Sequence, residues 1–162
     1  MLRRRLMVGL TSAWMLTLLP AARAQAPGEA APPKAGGASG QVHVRVTGFR
    51  SERGQVYVAL WRSEKSFPGT PPKGSPTATL KIVKGVAETT FRNVAPGVFA
   101  ISVFHDEDGD TELKKNFIGI PKEGIGISRD ARGRFGPPAW EDAKLMLEPG
   151  ELKQVKITML YL

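Results

Sequence analysis

The chain has 162 residues, 41% of them hydrophobic, with 23 basic against 15 acidic side chains and no cysteine. That length suits one domain with its own core, and the lack of cysteine excludes disulfides, thiolate metal sites and a lipid anchor at a cysteine. The net charge of +8 suggests a polyanion partner, but the first 24 residues hold four basic residues and no acidic one, so the remainder carries 19 against 15, or +4.

Those first residues read as an address. Arg3, Arg4 and Arg5 precede an apolar run from Leu6 to Leu19, then Pro20 and Ala22-Arg23-Ala24. This is the layout of a signal peptide with a small-residue cleavage site. Its 14-residue apolar run is too short for a span, which needs about 20. The expected product begins at Gln25, unanchored, and is periplasmic or secreted by the general secretory or the twin-arginine route. Residues 25–40 are Ala, Pro, Gly and Ser with almost no large side chain, a composition that cannot offset the entropy of ordering, and predict a flexible linker.

From residue 41 the period changes to two. Val42, Val44 and Val46 alternate with His43, Arg45 and Thr47, predicting a half-buried strand, and Val56, Val58 and Leu60 predict a second that also carries Tyr57, Ala59 and Trp61. A Pro/Gly-rich loop spans Ser63 to Pro76, with Phe67 its one aromatic. Leu80 and Ile82 mark a third strand, Lys84-Gly85 a turn, and Ala87, Thr89 and Phe91 a fourth. Val98 to His105 is apolar on both faces and predicts a strand covered on both, with Phe99 and Phe104 joining Tyr57 and Trp61 in or beside the core. Lys144 to Leu147 and the alternation Val155, Ile157, Met159, Tyr161 complete seven strands. Short strands, frequent turns and no helical period predict an all-β, antiparallel, seven-stranded β-sandwich of immunoglobulin-like or transthyretin-like kind, with one long acidic and Gly-rich loop. The basic residues Arg45, Lys81, Arg92, Lys153 and Lys156 fall singly, mostly at alternate strand positions, as on a solvated sheet face, so no nucleic-acid partner is expected.

Between the fifth strand and Asp142 lie 37 residues without convincing periodicity, and loops of that length are commonly functional. They begin with five acidic residues among the seven from Asp106 to Glu112, bent at Gly109. Hard oxygen ligands at alternating positions suit calcium. Asp106, Asp108, Asp110 and Glu112 are the candidate ligands, with Asn116 or Glu123 completing the shell. The run is not an EF-hand, since the required glycine would fall on Thr111 and the bidentate glutamate on Phe117. The competing interpretation is a solvated loop whose carboxylates pair with Lys114, Lys115 and Lys122.

Other candidates read as structural. His105 and His43 are not at metal-ligand spacing, and His105 is expected to bond the Asp106 carboxylate or a loop carbonyl. No nucleophile motif of the G-x-S-x-G kind is present. Glu141 and Asp142 beside Trp140 suggest a glycosidase pair, but strand neighbours point to opposite faces, so Trp140 is expected to plug one end of the domain. Glycines 119, 124, 126, 133 and 136 precede no helix and make no phosphate cradle.

Several pieces recur in order: Gly54 with Val56-Tyr57-Val58-Ala59-Leu60, the Phe67 loop, Pro96-Gly97-Val98-Phe99-Ala100, His105-Asp106-Glu107-Asp108-Gly109, Gly119-Ile120-Pro121-Lys122-Glu123-Gly124, and Pro137-Pro138-Ala139-Trp140-Glu141-Asp142-Ala143. Together they resemble the bacterial domain of unknown function 2141 family over residues 40–162. The resemblance implies a small exported β-sandwich without an assigned reaction, whose acidic loop looks like a calcium loop. Thr111 stands where that pattern carries glycine, and Lys114 where it carries a second aspartate. The expected function is an exported, non-enzymatic binding or accessory module for an envelope or extracellular ligand or protein, with calcium the one candidate cofactor. The alternative is an envelope hydrolase, acting on polysaccharide or peptide through the loop carboxylates.

Overall fold

The computed structural model describes residues 37–110, 122–134 and 136–162. The chain divides into two units, Met1–Pro32 and Pro33–Leu162, and the described residues all belong to the second. The signal, most of the expected linker, Glu112 and Asn116 lie outside them.

Among the described residues the architecture is all-β, with eight strands in two sheets and one short helix. The strands are β1 (Gly40–Thr47), β2 (Gln55–Trp61), β3 (Thr77–Leu80), β4 (Ala87–Val94), β5 (Gly97–Asp106), β6 (Gly124–Ile127), β7 (Leu145–Leu147) and β8 (Leu152–Thr158). The helix α1 is a single turn, Trp140–Ala143, and a 3₁₀ turn spans Ser128–Asp130. Among the described residues no helix is long and apolar enough to cross a membrane.

One sheet has the order β4-β1-β8, and the other runs β3-β2-β5-β6, with β7 also pairing β5. The apolar alternation explains the division. Val42, Val44 and Val46 of β1, Phe91 of β4 and Val155 and Ile157 of β8 are buried in one cluster with Val56, Val58 and Leu60 of β2 and Phe99, Ile101 and Val103 of β5. The shared core therefore lies between the inner faces of the sheets. The other face of β2 and β5 is covered where Trp61, Ala59 and Ala100 pack with Ile127 and Ala143. Phe67 stands edge-on to both Trp61 and Trp140, each pair with centroids 5.4 Å apart.

Three expectations change. An eighth strand, β6, runs through the stretch without periodicity. Its core-facing positions are Gly124 and Gly126, and a Cβ there would come within 2.6 Å of the Tyr161 ring and 2.7 Å of Ile157. The apolar alternation is thus inverted, with glycine inside because Tyr161, Met159 and Ile157 fill the space. Second, not every pair is antiparallel: β1 and β8 pair in parallel from Gln41↔Leu152 to Thr47↔Thr158. Parallel neighbours require a long crossover, and here the whole second sheet lies between the two strands in sequence. Third, Trp140, Glu141 and Asp142 form a helical turn rather than a strand end. At the domain's start, Gly40 already pairs with Val94, and the Ala38 carbonyl accepts the Gly150 N–H at 2.8 Å, so the last residues of the expected linker are bound to the domain.

Candidate functional site

The acidic stretch is held by the end of β5 and the start of β6. Their antiparallel register pairs His105 with Gly124. One step further, Asp106 and Glu123 therefore stand beside each other at the open end of the ladder. Asp106 also pairs with Gln55 of β2, so its backbone is fixed on two sides. Beyond it the chain turns, the Gly109 N–H donating to Asp106 Oδ1 at 2.7 Å, and Gly109 adopts φ +81° as the turn requires.

The outcome is a group of three carboxylates. One oxygen from each of Asp106, Asp108 and Glu123 lies within 4.8 Å of the others; Asp106 and Glu123 are buried, and Asp108 is exposed. Asp110 is exposed and outside this group. The donor set fits a hard cation: calcium takes oxygens at about 2.3–2.6 Å, so opposite ligands of one shell lie about 5 Å apart.

Glu107 is directed elsewhere. Its Oε2 accepts from Arg50 Nε at 2.8 Å and from a second guanidinium nitrogen, and its Oε1 accepts from the Ser51 hydroxyl at 2.7 Å. Hydrogen bonding from Arg50 holds the Glu107 carboxyl at about 2, below its ordinary 4.5, with Ser51 assisting and burial opposing. The Glu107 N–H donates to Glu123 Oε1 at 3.1 Å. Arg50 also donates to the Lys122 carbonyl at 3.3 Å and lies over the Tyr161 ring, 4.5 Å from its centroid. One guanidinium thus ties the two ends of the acidic stretch to the last strand's extension.

His105 is fully buried beneath this arrangement. Its Nε2 lies 2.8 Å from the Arg53 carbonyl, which can only accept, so that nitrogen carries the proton. In the neutral ring Nδ1 then accepts from the Tyr161 hydroxyl at 2.7 Å, and that hydroxyl accepts the Arg50 N–H at 3.3 Å. Burial raises the Tyr161 phenol above its ordinary value. His105 bonds a loop carbonyl rather than the Asp106 carboxylate, and Phe49 packs edge-on against it at 5.2 Å. Gly54 completes the floor, because a Cβ there would lie 1.8 Å from the Asp106 carbonyl oxygen.

The remaining sequence candidates lie apart. Trp140 packs on Phe67, and Glu141 pairs with Lys144 at 2.5 Å along the helical turn. His43 Nδ1 meets the Thr90 hydroxyl at 3.0 Å on the other sheet. Sequence reasoning missed Arg50, Ser51 and Tyr161 as supports of the acidic stretch, and missed buried Ser128, whose hydroxyl accepts from the Ile101 N–H at 3.0 Å and donates to the Ala143 carbonyl at 2.6 Å. Tyr161 was detectable as the last member of an alternating strand. Arg50, alone in a loop, carried no signal.

This is a small two-sheet, all-β domain with a buried acidic corner. The chain belongs to the domain of unknown function 2141 family, described as an uncharacterized protein conserved in bacteria, whose model matches residues 44–155. No curated protein and no solved structure matches it.

Proposed function

We propose that the protein is an exported, non-enzymatic binding or accessory module, a β-sandwich of immunoglobulin-like or transthyretin-like kind, whose acidic corner takes calcium and is stabilised by it. The observation that carries this reading is the convergence of Asp106, Asp108 and Glu123 within 4.8 Å. Three hard oxygen donors at that separation fit one coordination sphere. A glycosidase works with a pair of carboxyl groups flanking a sugar bond, whereas three converge here, which favours a cation over a hydrolase. The residues that would hold the ion are these three, and calcium would supply charge neutralisation and cross-linking of β5 to β6. The export reading rests on the basic, apolar and Ala-Arg-Ala segments of residues 1–24.

Extracellular modules bind calcium with dissociation constants of about 10⁻⁴–10⁻³ M. At about 1 mM free calcium, linkage then gives about 0.4–1.4 kcal/mol, a few degrees in Tm. The test compares thermal melts in calcium and in chelator for wild type, Asp106→Asn, Asp108→Asn and Glu123→Gln. The amides keep the acceptors used by Gly109 and Glu107 and remove the charge. Wild type should shift upward and the variants should not. A wild-type Tm unchanged at about 10 mM calcium, with magnesium matching ionic strength, refutes the cation and leaves a corner paired with lysines.

A further inference from the structure

Cations that fall singly in the sequence are gathered by the β4-β1-β8 sheet. The exposed positions of a strand share one face, and the parallel register makes Arg45 and Lys156 direct Cα partners across β1 and β8. On the opposite side of β1, Arg45 pairs with Glu88 of β4, with which it forms an ion pair. Lys81 comes to the rim of the same face, where Arg45, Lys81, Val83, Val86 and Glu88 line a hollow of about 370 Å³. Arg92, exposed on β4 and next to the Phe91↔Val42 pair, stands toward the far end. Along β1 that separation from Arg45 is about 13 Å, four residues at strand rise.

The exposed charges on these three strands are thus Arg45, Arg92 and Lys156 against Glu88 alone, and Lys81 adds a fourth cation. Between them lie Gln41, Gln154 and Thr158, side chains that donate and accept hydrogen bonds. No Phe, Tyr or Trp is exposed there. We infer that the outer face of the β4-β1-β8 sheet binds an acidic polysaccharide, a chain of uronic acid units whose widely spaced carboxylates meet Arg45, Lys156, Lys81 and Arg92 while its hydroxyls meet the glutamine and threonine side chains.

The chemistry favours this partner over nucleic acid. Single strands are held by stacking on aromatic rings, which this face lacks. Duplex DNA carries a charge about every 1.7 Å and rewards clustered cations, whereas here they are spread over two rows. The inference does not depend on the calcium reading, since the acidic corner uses other residues.

The experiment measures binding of the purified protein to polygalacturonate at low and moderate salt, with chelator present so that no divalent ion can bridge the polymer to the acidic corner. Two triple variants are compared: Lys81→Glu, Arg92→Glu, Lys156→Glu on the face, and Lys65→Glu, Lys73→Glu, Arg132→Glu at exposed positions off it, which match the change in net charge. Melts verify that both fold. The face variant should lose at least about tenfold in affinity and most of its salt dependence, and the control about twofold or less. Equal losses in the two variants would show attraction by net charge alone and overturn the assignment. A single-stranded DNA of matched charge serves as the competitor arm, and its binding as tightly as the polyuronate would overturn the partner class. No binding by wild type at low salt overturns the proposal outright.

Discussion

Gly54→Ala tests whether the floor of the acidic corner is set by close approach rather than by chain flexibility. At this position φ is +75°, and an added Cβ would lie 1.8 Å from the Asp106 carbonyl oxygen and 2.7 Å from the Glu107 Cα. Both neighbours are backbone, so neither can rotate away. An ordinary contact begins at 3.4 Å, so the strand end must move by about 1.6 Å, which is incompatible with the Gln55↔Asp106 pairing that anchors β5 on β2. The conformational cost of a left-handed alanine is about 1–2 kcal/mol, and losing a buried backbone hydrogen bond adds about 1–3 kcal/mol, for a total of about 2–5 kcal/mol. Gly109→Ala is the internal control: its φ is +81°, but nothing lies within 4 Å of the added atom, so only the conformational cost of about 1–2 kcal/mol applies. Urea melts of both variants give the two losses directly, and a difference near zero would refute the close-approach argument. The amide of Gly109, which donates to Asp106, should exchange faster with solvent in Gly54→Ala, since the displaced residue is the one that orients the turn.

Phe99 is fully buried between the sheets, and Phe99→Ala should cost about 3–5 kcal/mol in denaturant melts. Tyr161→Phe removes the partner of buried His105 and of the Arg50 amide and should cost about 1–3 kcal/mol, read in the same way. Because the Glu107 carboxyl is held at about 2, its contribution is present above its unfolded value of 4.5 and is lost as pH falls toward 2. The full shift corresponds to ~3 kcal/mol, which solvent around the half-exposed Arg50 screens to about 1 kcal/mol, and the stability difference between wild type and Glu107→Gln should shrink across that window. Mass spectrometry of the exported protein should find Gln25 at the amino terminus, and a folded cytoplasmic product beginning at Met1 would overturn the export reading.

Strands with a buried apolar residue at every second position were legible: β1, β2, β5 and β8 stand where the alternation of Val42, Val58, Ile101 and Val155 puts them. Trp61 and Phe99 are core, while Tyr57 and Phe104 are half-buried and stack on each other at 5.9 Å on the outer face. Strand β6 was illegible because glycine occupies its inner positions, and the bulk that fills the space belongs to Met159 and Tyr161, far along the chain. Strand direction was equally hidden, since alternation is identical in parallel and antiparallel neighbours. In the acidic stretch, Asp106 and Asp108 were visible as a run, and Glu123 only as one of two residues to complete the shell. Glu112 and Asn116 lie outside the described residues.

Both charged features of this domain arise from pairing register. A contiguous run such as Asp106 to Glu112 draws attention in a sequence, yet the compact group omits Asp110 and takes in Glu123. What selects Glu123 is the His105↔Gly124 pair, which folds the chain back so that the next residue on each strand meets the other. The same logic acts on the opposite charge: Arg45 and Lys156 lie at opposite ends of the sequence, and the parallel β1/β8 register makes them neighbours. A one-residue slip in either ladder would turn the affected side chains to the other face. The register is in turn fixed by burial, because Val103 points inward beside Gly126 in one sheet, and Val44 and Ile157 point inward in the other. The apolar core therefore decides which charges meet, and a mutation that shifts a ladder should disturb the acidic corner or the basic face without touching a charged residue.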